Sequence, residues 1–182
     1  VLIFQPAEEG LGGARRMLVE GLFETFPCDE IYGMHNSPGG EQGKLSVCKG
    51  AAMAGAAFFD ISVTGKGSHA AAPHMSRGAL MVATILATDL QTILSRNIPP
   101  QDVCVLSITQ IHAGAAYNVV PETAELAGTI RYFKDEVYDL AAKRMEAICD
   151  GVAQAHEVEI DLKLRNVFDV LQNDPELSDA YI

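Results

Sequence analysis

Two adjacent carboxylates, Glu8 and Glu9, stand in the stretch VLIFQPAEEG between a proline and a glycine-rich turn. Neighbouring residues on a regular strand point to opposite faces, so the pair can share a task only where the strand is broken. Pro6 supplies the break by removing a ladder donor, and Gly10, Gly12 and Gly13 let the backbone turn, so both side chains can leave one loop together. Two close carboxylates stay ionised cheaply only beside a cation. A divalent ion meets that need, with one carboxylate as ligand and its neighbour taking a proton from bound water, as in a metal hydrolase. The plainer reading is a helix cap, because negative charge is favoured at a helix N-terminus, and the pair alone leaves both open. His35, in GMHN, adds imidazole to carboxylate, a donor set suited to Zn, Mn or Ni. Two protein ligands are too few, so others have to come from elsewhere.

The elements that must hold these groups follow from periodicity. VLIFQ is a short apolar run of the kind buried in a parallel sheet, and Ala14, Met17, Leu18, Gly21 and Leu22 mark one face of a helix behind it. EIYGMHN reads as a second buried strand, so residues 1–50 are expected to form a β-loop-α-β piece of an α/β domain, with chemistry at the carboxyl ends of its strands. Beyond CKGAAMAGAA the pattern changes. FFDISVT alternates, a largely apolar helix runs over residues 78–95, the strands VCVLSITQI and AELAGTIRYF follow, then a helix with Val137, Leu140, Ala141, Ile148 and Val152 on one side, then VEIDLKL. That β-α-β-β-α-β order predicts the ferredoxin-like layout, four antiparallel strands backed by two helices. The expected division is residues 1–50, 51–166 and a return segment 167–182.

Composition narrows the partners. With 182 residues and a net charge of -11, the chain lacks the clustered Lys and Arg that a phosphate backbone requires, so nucleic acid is not expected. No apolar run is long enough to span a bilayer. Cys28, Cys48, Cys104 and Cys149 are scattered and read as reduced residues of a cytoplasmic protein. The chain starts on a strand-like run without Met and stops at ELSDAYI, so an internal fragment is expected.

Five motifs in order, FQPAEEGLGGARRMLVEG, GMHNSPGGEQGKLSV, GKGSHAAAPH, LQTILSRNIPP and SITQIHAGAAYNVVPETAELAGTIR, resemble the amidohydrolases related to hippurate hydrolase, indole-acetyl-amino-acid hydrolase and bacterial N-acyl-amino-acid amidohydrolases. The resemblance implies a zinc-peptidase-like catalytic α/β domain holding two divalent ions (Zn, Mn, Ni or Co), with an inserted ferredoxin-like lid through which two copies form a homodimer. It maps the general base to Glu8 and metal ligands to Glu9 and His35. It implies that His69 polarises the scissile carbonyl, often from the partner subunit, an arrangement that stabilises a tetrahedral oxyanion. Asn118 and Arg131 are candidates to grip the carboxylate of an N-acyl amino acid. Arg131 lies on the face of its strand away from Leu126 and Ile130, and a guanidinium fork suits a carboxylate. His74 either joins the substrate site or shapes its loop.

The family's other ligands lie in a Cys-Gly-His-Asp type motif and a late His that this chain does not contain, so alone it is expected to be inactive. Two stretches depart from the family pattern: MSRGALMVA, where an Asp-Pro pair is usual, and RNVFDVLQND, where a proline-rich stretch is usual. The alternatives to an N-acyl amino acid hydrolase are a related dinuclear-metal exopeptidase and a noncatalytic ferredoxin-like dimerisation or ligand-binding module.

Overall fold

The computed structural model describes residues 1–8 and 12–180 and divides into two compact units, residues 1–46 and residues 47–182. In the first unit the regular elements among the described residues are two short helices, α1 (Gly13–Val19) and α2 (Leu22–Thr25). The strands expected at VLIFQ and EIYGMHN are not formed: residues 1–5 and 31–35 carry no ladder, and Val1, Leu2, Phe4, Ile31 and Met34 are exposed. The reason is physical. A parallel strand is stable only when neighbours satisfy its backbone groups and cover both faces, and neither run has a paired neighbour among the described residues.

The second unit contains, in chain order, β1 (Gly50–Met53), β2 (Gly55–Thr64), β3 (Ser68–His69), a 3-10 turn at Pro73–Met75, α3 (Ala79–Arg96), β4 (Cys104–Ala113), β5 (Val119–Val120), β6 (Thr123–Tyr132), α4 (Asp135–His156), β7 (Glu159–Phe168), β8 (Leu171–Asn173) and α5 (Pro175–Ala180). Its main sheet has the order β4-β6-β2-β7, antiparallel throughout, which is the ferredoxin-like arrangement expected from the sequence.

Strict alternation on β2 turns Phe59, Ile61 and Val63 inward, where β6 adds Leu126 and Ile130. Two helices cover that face. α3 presents Ala79, Val82, Ala83, Leu86, Leu90 and Ile93 at helical spacing, and α4 presents Val137, Ala141, Met145, Cys149 and Val152. Leu140 and Ile148, assigned to the apolar side of α4 from the sequence, are half-buried at its edge, whereas Met145 and Cys149 reach the centre.

Two small ribbons extend from the sheet. β1 pairs with β8, with Asn173 Nδ2 donating to the Cys48 carbonyl at 2.7 Å. β8 lies within the segment 167–182 expected to return towards the catalytic domain. The other ribbon, β3 with β5, matters for chemistry.

Candidate functional site

The expected site residues fall into three places. Glu8 and His35 belong to the first unit, where both are exposed. Glu9 lies outside the described residues. Pro6 sits at a bend, Ala7 takes φ 49, a left-handed value uncommon for a residue with a side chain, and α1 begins against Pro6. A side chain at Gly13 would stand 1.7 Å from the Pro6 carbonyl oxygen, so this close approach requires glycine.

His35 Nδ1 lies 2.6 Å from the Asn36 carbonyl oxygen, which can only accept, so Nδ1 carries a hydrogen and, in the neutral tautomer, Nε2 is the ring nitrogen with the lone pair. A backbone carbonyl holding one ring nitrogen is the usual support of a metal-bound imidazole. The donors therefore fit a divalent ion in kind. They fall short in number: among the described residues no group of three or more His, Cys, Asp or Glu is assembled.

His69 and Asn118 come together on the second ribbon. His69 pairs with Val119 and Ser68 with Val120, and the Ala70 N–H donates to the Asn118 carbonyl at 2.9 Å. The loop after His69 is cross-tied. Ser68 Oγ donates to the carbonyls of His69 and Ala72, each at 3.2 Å, and the Ala72 N–H returns to the His69 carbonyl at 2.8 Å. At its base, Lys66 and Arg77 exchange both backbone hydrogen bonds, and Arg77 Nε donates to Glu157 at 2.7 Å.

The His69 ring is set oppositely to His35. The Ala71 N–H donates to its Nδ1 at 3.1 Å, so the neutral ring carries its hydrogen on Nε2. Because the side chain is exposed, that N–H is offered outward as a donor. A donor, not a ligand, is what a developing oxyanion needs. His74 lies in the 3-10 turn of the same loop and is exposed.

Arg131 stands apart from this ribbon. It is near the far end of β6, eight residues beyond Thr123, a distance of about 27 Å at strand rise. Its half-buried guanidinium lies on the face opposite the helices, as the alternation predicts. There it donates to Thr129 Oγ1, whose own hydroxyl donates to the Ala57 carbonyl at 3.1 Å. Sequence reasoning missed Thr129 as the residue that orients Arg131. The available signal is its position two residues before Arg131 on the same strand face.

A family described as the peptidase dimerisation domain matches residues 52–157. Hippurate hydrolase of Campylobacter jejuni is 40% identical over 178 residues, covering 98% of this chain and 46% of that protein. N-acetyldiaminopimelate deacetylase of Listeria monocytogenes is 36% identical, covering 100% of this chain and 49% of that protein. The chain thus spans about half the length of the curated relatives it matches. A solved structure from methicillin resistant Staphylococcus aureus superposes with TM-score 0.90 at 29% identity, covering 97% of this chain and 47% of the other. The Bacillus subtilis YXEP protein, described as a dinuclear metal binding peptidase from the M20 family, superposes with TM-score 0.74 at 30% identity, covering 97% and 43%.

Proposed function

The chain belongs to the peptidase dimerisation domain family of M20 proteins, and from that premise we propose that the whole protein hydrolyses the amide bond of N-acyl amino acids. The products are a carboxylic acid and an amino acid. The carrying observation is the β3–β5 pairing, which sets the outward Nε2–H of His69 beside the Asn118 segment. Hippurate and acetylated diaminopimelate, named for the relatives, are substrates of this class.

His69 donates to the scissile carbonyl oxygen and holds the negative charge that develops there. Glu8 takes a proton from the attacking water and returns it to the leaving nitrogen. Arg131, held by Thr129, grips the substrate carboxylate. Glu9 and His35 contribute to a site for two divalent ions, Zn, Mn, Ni or Co, whose further ligands come from beyond these residues. Such ions, when bound, lower the pKa of water and polarise a carbonyl.

The separation of Arg131 from His69 along β6 supports a homodimer. Asn118 and the β3–β5 ribbon precede the Thr123 end of β6, and Arg131 lies eight residues beyond Thr123, about 27 Å at strand rise; this supports a reading in which one chain supplies Arg131 and a second copy supplies His69 and Asn118. Strand β4, at the sheet edge, is the surface through which the copies pair. All four cysteines are free, and among the described residues no helix is long and apolar enough to cross a membrane; we place the protein in the cytoplasm.

The match of residues 52–157 to the peptidase dimerisation domain favours the competing reading, a noncatalytic dimerisation module. Metal analysis of the whole protein purified without chelator, combined with Glu8→Gln, separates the two. The hydrolase reading expects bound divalent metal and a loss of amidase activity in the variant. No metal, with activity unchanged by the substitution, would sink it.

A further inference from the structure

The sheet face opposite the helices carries an arrangement that amide cleavage does not require. Phe58, on the central strand β2, lies directly across from Thr129 on β6 and from Arg165 on β7. Residues directly across share a face, so Arg165, Phe58 and Arg131, two positions beyond Thr129, project on one side. The Arg165 guanidinium carbon is 5.5 Å from the Phe58 ring centroid, and that of Arg131 is 6.0 Å from it. Two cations therefore flank one ring, each favoured by the ring's negative face.

In a chain with 24 Asp and Glu against 13 Lys and Arg, carboxylate partners are plentiful. Even so, among the described residues neither guanidinium is in an ion pair, although Lys163, two residues before Arg165 on the same face, pairs with Asp161 at 3.3 Å. Arg131 is also fixed in direction by Thr129. Like charges gathered on an aromatic support and left without counterions repel unless an anion joins them, and a planar fork is matched to a carboxylate.

We propose that Arg131 and Arg165 form a two-guanidinium clamp across Phe58 that selects N-acyl amino acids bearing a second carboxylate. Arg131 takes the α-carboxylate and Arg165 the distal one. The assignment rests on the reading of Arg131 as the α-carboxylate grip.

The test compares the whole protein, loaded with metal, with its Arg165→Gln and Arg131→Gln variants on N-acetylglutamate and N-acetylalanine. Glutarate binding is followed in parallel by calorimetry, which needs no turnover. Arg165→Gln is expected to raise KM about tenfold for N-acetylglutamate, the loss of one charge-assisted contact, and to leave N-acetylalanine unchanged. Arg131→Gln is expected to raise KM for both. Equal effects of Arg165→Gln on the two substrates, or no effect on either, overturn the clamp. Glutarate binding that Arg165→Gln abolishes, in a protein that hydrolyses neither of these compounds nor hippurate, upholds the clamp and removes the hydrolase reading. Failure of the unsubstituted protein to bind glutarate, or binding that Arg165→Gln leaves intact, overturns the clamp whatever is hydrolysed.

Discussion

His69 lies directly across from Val119 in a ribbon two residues long, so a histidine and an asparagine 49 positions apart in sequence share one small projection from the sheet. The ribbon fixes the His69 backbone, and the Ala71 N–H fixes which ring nitrogen carries hydrogen. Replacing His69 by Ala in the whole protein is expected to lower kcat by roughly 10²–10³, the usual cost of one oxyanion donor, with little change in KM. Steady-state kinetics checks this. A KM effect alone would reassign His69 to ground-state binding.

The proposed pairing of copies along β4 makes a prediction about mass. Val105 and Ile111 are exposed on this edge strand, and the bulge between Ile108 and Gln110 bends it. A lysine at an edge discourages pairing because its charge would be buried against a like partner. Ile111→Lys is expected to convert the dimer to monomer in light scattering and to abolish activity, because His69 and Arg131 then no longer meet. An active monomeric variant would contradict action across subunits.

Gly128 sits where the sheet is tightest. A Cβ there would stand 2.1 Å from the Ser107 carbonyl oxygen and 2.3 Å from Phe59 Cζ. The first is strand backbone and the second a buried ring, so neither can yield without opening the β4–β6 ladder or displacing the core. Gly128→Ala is expected to cost about 1–3 kcal/mol, measured by urea denaturation. An unchanged midpoint would mean that the sheet adjusts more freely than its packing indicates.

Cys149 ties stability to alkaline pH. Burial, and then the nearby carboxylates of Asp150 and Glu146, disfavour the thiolate and push the thiol from 9.0 up to about 11. The folded chain therefore keeps this proton at pH values where the unfolded chain has lost it. Stability from this group is whole below pH 9.0 and falls as pH rises toward about 11. Denaturation midpoints measured across that window should decline, and Cys149→Ala should flatten the decline. Exposed Cys28 and Cys48 should react with a thiol reagent in the native state, whereas Cys149 should react only on unfolding.

The second unit was legible because its signals are local. Phe59, Ile61 and Val63 alternate against Asp60, Ser62 and Thr64, and that period fixes both strand and inward face without knowledge of the neighbours. The first unit was not legible in the same way. VLIFQ has the composition of a buried strand, but a strand exists only through its partners, and none is paired with it among the described residues.

The sequence by itself determined the four long strands, the two helices and the side of the sheet to which Arg131 belongs. These depend on side-chain period and chemical identity, which one residue and its near neighbours carry. Tertiary structure decided the rest. It alone put His69 beside Asn118 and placed Arg131 at the opposite end of β6. It set the His35 Nδ1 against the Asn36 carbonyl and the Ala71 N–H against the His69 Nδ1, and it set Arg165 against the ring that Arg131 also approaches. Those relations depend on strand register and backbone hydrogen bonds between distant segments, and no local pattern encodes which residue will lie across from which.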